Sequence, residues 1–224
     1  MKKSFVLCAV CAVLFVFLLI SLFFVDVAPI GADASRVGYA TVNTQVHRLV
    51  GVHMAWYHAT EILGWIAIAV AVGFAVLGLV QWIRRKKLCM VDRELFALGG
   101  LYLAVAVLYV LFEKIAVNVR PILMPGAEVA EASFPSTHTL LALTIFGSAL
   151  LLLPEYVKKG VLRDILFAVG LSLLVVTVVG RFLSGVHWLT DIVGGLLLAG
   201  ALLAAFSGVL GLVDKKKETE APSA

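Results

Sequence analysis

Three short stretches of an otherwise apolar chain carry the residue types that handle phosphate. The first is Glu113-Lys114-Ile115-Ala116-Val117-Asn118-Val119-Arg120-Pro121, the second Phe134-Pro135-Ser136-Thr137-His138, and the third runs from Gly180-Arg181 through His187 to Asp191. On an unbroken helix Lys114 and Arg120 would point about 120° apart. Pro121 disfavours helix at Arg120, so the two cations can converge from a helix end and a loop. Ser136 suits an N-cap, and the free N–H groups of a helix starting there make an anion site beside Thr137 and His138. His187 and Asp191 are four apart and share a helix face. A carboxylate beside an imidazole fixes its tautomer and stabilises its cationic form. Taken singly, each feature has a plainer reading: a snorkelling anchor, a structural cap, a His–Asp pair that ties helices together. Taken together, three cations, two histidines, a carboxylate and a helix N-terminus suit a dianionic phosphate or a diphosphate.

The elements that must position these residues follow from composition. Of 224 residues, 62% are hydrophobic and 14% charged, with a mean hydropathy of +1.07. A soluble domain averages about 45–50% apolar and about 25% charged, so this is an integral membrane protein. The same composition excludes disorder and a disulfide scaffold. A span needs about 20 mainly apolar residues, and the sequence predicts six: 5–25, 62–83, 95–112, 138–154, 164–180 and 188–212. The expected fold class is all-α, a polytopic membrane protein of six transmembrane helices with a short interfacial segment on the outer face. Residues 1–213 form the single six-helix domain, and 214–224 a polar cytoplasmic tail expected to be disordered. Lys2-Lys3 and Ala32-Asp33-Ala34 imitate a signal peptide and its cleavage site, but an apolar run of about 21 residues exceeds the usual 7–15. The first run is therefore read as a retained span. Cys8, Cys11 and Cys89 show no metal or disulfide spacing.

Basic residues orient the bundle. Lys2, Lys3, Arg84, Arg85, Lys86, Lys87, Arg93, Lys158, Lys159, Arg163, Lys215, Lys216 and Lys217 all fall on one side of a six-span arrangement. That side is predicted to be cytoplasmic, with both termini inside. The net positive charge is thus a topology signal, and no nucleic-acid partner is expected. The arrangement places Lys114, Arg120, Ser136, Thr137, His138, Arg181, His187 and Asp191 together at the outer edge. Arg36, Arg48, His47, His53, His58 and Glu61, mixed with Trp56 and Tyr57, lie in 26–61. This segment reads as an aromatic interfacial anchor or, alternatively, as a gate over the site.

These three stretches resemble the signatures of the type 2 phosphatidic acid phosphatase family, membrane lipid phosphatases related in their active site to vanadium haloperoxidases. Lys114 with Arg120-Pro121 matches the first signature. Pro135-Ser136-Thr137-His138 resembles the second, with Thr137 where glycine is usual. Gly180-Arg181, His187 and Asp191 resemble the third, with Gly180 where serine is usual. The resemblance covers spans three to six well, and spans one and two by topology alone.

The resemblance implies that His187 attacks phosphorus to give a phosphohistidine while Asp191 orients it. It implies that His138 protonates the leaving oxygen and then activates water, and that Lys114, Arg120, Ser136, Thr137 and Arg181 hold the phosphoryl oxygens. No metal and no cofactor are expected. The implied substrate is a lipid phosphate or diphosphate in the outer leaflet of a bacterial plasma membrane. Undecaprenyl diphosphate is preferred, which would make the protein part of cell wall biogenesis, with phosphatidylglycerol phosphate or phosphatidic acid as alternatives. Other classes remain open at this point: a non-catalytic lipid-phosphate-binding protein, or a metal-dependent hydrolase using His138, His187 and Asp191. A transporter is disfavoured, because the charges cluster at one edge instead of the bilayer midplane.

Overall fold

The computed structural model describes residues 1–220. Its helices are α1 Lys2–Ser21, α2 Ala40–Val50, α3 Met54–Arg85, α4 Arg93–Lys114, α5 Thr137–Tyr156, α6 Val161–Leu183 and α7 Leu189–Glu220. All but α2 are long and apolar enough to cross a membrane, α7 over Leu189–Lys215. The all-α, six-span plan is therefore present in the expected order.

Two expectations need correction. The second span begins at Met54, not 62. Gly51 at φ 72° and extended His53 end the preceding turn, and nothing from Met54 to Glu61 interrupts a helix. The interfacial helix is accordingly shorter than 26–61: α2 has 11 residues. The tail is also more ordered than expected. Between Asp214 and Glu220 stand lysines, glutamates and a threonine with no Gly or Pro, and α7 continues through them. Residues 221–224 lie outside the described residues.

α5 sits centrally, against α3, α4, α6 and α7, while α1 lies along α7. Phe15 of α1 stacks on Phe134 with ring centroids 5.9 Å apart, and Phe112 of α4 meets both rings edge-on. A Cβ on Gly194 would come within 2.5 Å of the Phe134 ring, so glycine there lets the first turns of α7 pack closely on this cluster.

Because the spans alternate, the N-terminal ends of α3, α5 and α7 meet the C-terminal ends of α4 and α6. The loop joining α4 to α5 closes over that end. The basic turns at 84–93 and 158–163 lie at the opposite end. There Asp92, the N-cap residue of α4, accepts hydrogen bonds from Arg85 Nη1 at 2.7 Å, Gln81 Nε2 at 2.6 Å and Tyr156 Oη at 3.3 Å. Its own N–H donates to Gln81 Oε1 at 3.0 Å.

Candidate active site

The turn from α6 to α7 carries the third signature. Arg181 is in the last turn of α6, and Ser184 Oγ donates to its carbonyl at 2.7 Å. Gly185 then reverses the chain at φ 68°, where a Cβ would meet Gly51 O at 1.8 Å, so only glycine fits. Three further contacts pin this turn from outside. His53 N donates to Ser184 O at 3.0 Å, His47 Nε2 lies 3.0 Å from Gly185 O, and buried Asn43 of α2 donates to Thr190 Oγ1 at 3.0 Å. The segment before α3 therefore clamps the loop that bears His187.

His187 is buried. Its Nε2 lies 3.2 Å from Arg181 Nη2. A guanidinium can only donate, so Nε2 carries the lone pair and the proton sits on Nδ1. Nδ1 is 3.7 Å from Asp191 Oδ2, beyond hydrogen-bonding length. Asp191 is fully buried; it accepts from Trp188 N at 2.9 Å and from Asn118 Nδ2 at 3.3 Å. Burial, reinforced by the Arg181 and Arg120 guanidiniums, holds the His187 imidazole well below its usual range. The ring is therefore neutral near pH 7, the state a nucleophile requires.

The α4–α5 loop is folded back on itself. Val119 bridges Ala132, Arg120 N donates to Glu131 O at 3.0 Å, and Ser133 N donates to Asn118 O at 2.9 Å. Trp188 Nε1 donates to Val119 O at 2.8 Å, which ties this strap to the histidine-bearing turn. A short antiparallel pairing of Ala28–Pro29 with Arg36–Val37 backs it, and Ala32 N reaches Arg120 O at 3.0 Å. Arg120 Nε is 2.9 Å from Glu131 Oε2. The strap ends at a cis Phe134–Pro135 bond, after which Ser136 caps α5 as expected, its Oγ accepting from Thr139. Ser136 N donates to Asp191 O at 2.9 Å, joining the second signature to the third.

These pieces enclose a cavity of about 220 Å3, lined by His187, His138, Arg120 and Thr137 together with Tyr57 and Glu61. Asp191 and Arg181 stand behind it, both fully buried. Ser136 is buried in the cap. Lys114 is not brought in: it is exposed at the C-terminal end of α4, although its neighbour Glu113 lines the cavity. Among the described residues, no three His, Cys, Asp or Glu side chains group as a metal-ligand set.

Four residues that the sequence reading did not place in the site belong to it. Glu61 Oε1 is 3.0 Å from His138 Nε2 and 3.0 Å from Arg181 Nη1. The Tyr57 ring lies 5.2 Å from the Arg181 guanidinium, Asn118 holds Asp191, and Glu131 meets Arg120. A tyrosine and a glutamate four apart at the start of an apolar span were the available signal for α3.

A second, larger cavity of about 480 Å3 adjoins the first. Glu61 and His138 line both, and the rest of its wall is mainly apolar, with Trp65, Ile68, Val105 and Leu141 among its residues.

The sequence pattern that defines the PAP2 superfamily matches residues 94–212. The chain belongs to the PAP2 superfamily. The match spans α4 to α7 and so contains all three signatures, while α1 to α3 lie outside it. Among solved structures this PAP2 chain is similar to the first transmembrane PAP2-type phosphatidylglycerolphosphate phosphatase from Bacillus subtilis. The TM-score is 0.57 and the identity 18%, covering 97% of this chain and 98% of that one. No curated protein sequence matches it. Superfamily and fold together support a multi-pass membrane phosphatase.

Proposed function

We propose that the protein is a lipid phosphatase whose headgroup cavity and lipid groove meet at His138. The observation that carries this reading is the pair of adjoining cavities. A dianionic phosphate suits the small cavity with Arg120, Thr137 and His187. A hydrocarbon chain suits the apolar groove between α3, α4 and α5. His187 lines only the first cavity, whereas His138 lines both. An in-line displacement then runs from His187 on the headgroup side to a leaving oxygen at the seam.

In the first step the lone pair on His187 Nε2 forms a bond to phosphorus as the bond to the lipid oxygen breaks. His138 gives that oxygen its proton. In the second step water attacks phosphorus, its proton passes to His138, and the N–P bond breaks to release inorganic phosphate. Asp191, now 3.7 Å from Nδ1, offsets the imidazolium charge once the contact shortens; long catalytic hydrogen bonds commonly tighten around substrate. Arg120 and the amides of Thr137 and His138 at the start of α5 offset charge on the phosphoryl oxygens. Arg181, whose Nη2 meets Nε2 at 3.2 Å, yields that lone pair to phosphorus and turns to the phosphoryl oxygens as the headgroup enters, and Lys114 closes over the headgroup from the end of α4. On this reading turnover needs no metal, since cations and amides serve the charge.

The basic turns at the far end of the bundle favour a cytoplasmic position for that end and an outward-facing site in a bacterial plasma membrane. For an outward-facing site the preferred substrate is undecaprenyl diphosphate, converted to undecaprenyl phosphate and phosphate. Phosphatidylglycerol phosphate is the second reading, favoured by the likeness to the Bacillus subtilis enzyme, and phosphatidic acid a third. The test is phosphate release by purified protein from each of these lipids, with and without chelator, beside His187→Ala. Release from none of them, or release that survives His187→Ala, rejects the proposal; release abolished by chelator and restored by metal rejects its metal-free form.

A further inference from the structure

Glu61 is the one charged side chain of α3 that reaches the site, and it lies outside the span matched by the superfamily pattern. It belongs to a stripe on one face of α3, because Tyr57, Thr60, Glu61 and Gly64 follow helical spacing. Each member of the stripe meets Arg181 or His138. Tyr57 lies against the guanidinium at 5.2 Å, and Thr60 Oγ1 accepts from Arg181 Nη1 at 3.2 Å. Glu61 Oε1 meets both partners at 3.0 Å. A Cβ on Gly64 would come within 3.2 Å of His138 Cδ2, so the imidazole lies against bare backbone there.

We infer that Glu61 is a positioning residue that sets His138 as the acid for the leaving oxygen. The carboxylate accepts a hydrogen bond from Nε2–H, which leaves Nδ1 as the ring nitrogen available for the chemistry. Nδ1 is buried and has no partner among the described residues. When His138 is an imidazolium, Nδ1–H is the proton that passes to the leaving oxygen as the P–O bond breaks. His138 is then neutral, its Nε2–H still on Glu61, and Nδ1 takes the proton of the hydrolytic water. The other charged and titratable groups facing His138 are Arg181 from α6, Arg120 from the strap and His187 from the α6–α7 turn. Glu61 is the carboxylate in contact with the ring, so it supplies the negative charge that keeps the proton there.

This inference rests on the phosphatase reading and makes a demand that reading does not. The need for an acid depends on the leaving group. An alkoxide leaving a lipid monoester must be protonated, p-nitrophenolate need not be, and a phosphate leaving a diphosphate needs little help. The experiment compares phosphatidic acid with p-nitrophenyl phosphate, in detergent, for wild type, Glu61→Gln and Glu61→Asp. Glu61→Gln is expected to lower kcat on phosphatidic acid about 100-fold, the scale of general acid catalysis, and on p-nitrophenyl phosphate less than about threefold. Glu61→Asp is expected to restore about tenfold on phosphatidic acid. An equal loss on both substrates overturns the inference, because a contribution through Arg181 would fall on both alike. Should Glu61→Gln not fold, the same contrast is read from Glu61→Asp against wild type. Should wild type refuse phosphatidic acid, phosphatidylglycerol phosphate takes its place as the lipid monoester; a wild-type protein that releases phosphate from neither of these, nor from undecaprenyl diphosphate or p-nitrophenyl phosphate, overturns the phosphatase reading itself.

Discussion

The polar clusters at the two ends of the bundle use similar side chains but are finished differently. Around Asp92 an arginine, a glutamine and a tyrosine converge on one carboxylate, and its backbone N–H is answered by the same glutamine. Around His187 the groups also touch one another, yet His138 Nδ1, Arg181 Nε and Arg120 Nη1 are buried without partners among the described residues. An unmade buried hydrogen bond costs about 1–3 kcal/mol, so such groups persist only where something else selects for them. The first cluster is complete as it stands, whereas the second leaves buried polar groups unmatched beside the cavity. The lesson is that unsatisfied donors around a cavity separate a site from a structural network better than charge density does.

The largest test of this contrast is to remove the proposed nucleophile. His187→Ala is expected to lower phosphate release by about 10⁴-fold or more, the scale on which a lost nucleophile acts. Stability should move the other way in acid. Because burial lowers the His187 pKa in the folded protein, the unfolded chain binds the extra proton first as pH drops below the usual value of 6.5. Wild type therefore loses stability below pH 6.5 through this residue, and His187→Ala should flatten that slope in thermal melts between pH 5 and 7. An unchanged slope would show that the ring is not held neutral.

Second in size is Arg120→Ala. Arg120 lines the cavity with an unfilled donor, and removing a donor of this type costs about 10²–10³ in kcat. Vanadate, whose trigonal form imitates the phosphoryl group in flight, should raise the Tm of wild type and do so much less in this variant. Equal vanadate shifts in both proteins would place the oxyanion elsewhere.

The Asp92 cluster should answer in the opposite sense. Although burial pushes it up, hydrogen bonds from Arg85, Gln81 and Tyr156 hold the Asp92 carboxyl below its usual 3.8. A lowered carboxyl pKa contributes stability above 3.8 that is lost as pH falls through the folded value. Asp92→Asn is expected to cost about 1–2 kcal/mol at pH 7, lowering Tm by a few degrees, with activity within about twofold of wild type. A large loss of turnover with unchanged Tm would erase the distinction between the two ends.

How much of this was legible in the sequence differs between the two halves of the site. The residues at α5, α6 and α7 could be read because each stands at a helix boundary, where a proline, a cap or an i,i+4 pair announces its geometry. His138, Arg181, His187 and Asp191 are found where that reasoning put them. The sequence reads Glu61 as part of an interfacial helix, an anchor or a gate, because Trp56, Tyr57 and His58 resemble a membrane-surface belt. The helix instead runs on through them, and its carboxylate pairs with residues 77 and 120 positions away. No local pattern reports a contact of that range. The clamp from Asn43 and His47 onto the α6–α7 turn was illegible for the same reason.

Lys114 tests the boundary between the site and its surroundings, and its effect should be the smallest at this end of the bundle. Its side chain is exposed, while the adjacent Glu113 lines the cavity. A solvated cation at that place acts by attracting and closing over a dianion, a contribution that salt screens within about 10 Å at 0.1 M. Lys114→Ala is expected to lower kcat/KM about tenfold, mainly through KM, with Tm unchanged and the deficit shrinking as salt rises. A salt-independent fall in kcat as deep as that of Arg120→Ala would instead mean that Lys114 moves into the cavity and takes its place among the unfilled donors, beside Glu113 at the end of α4.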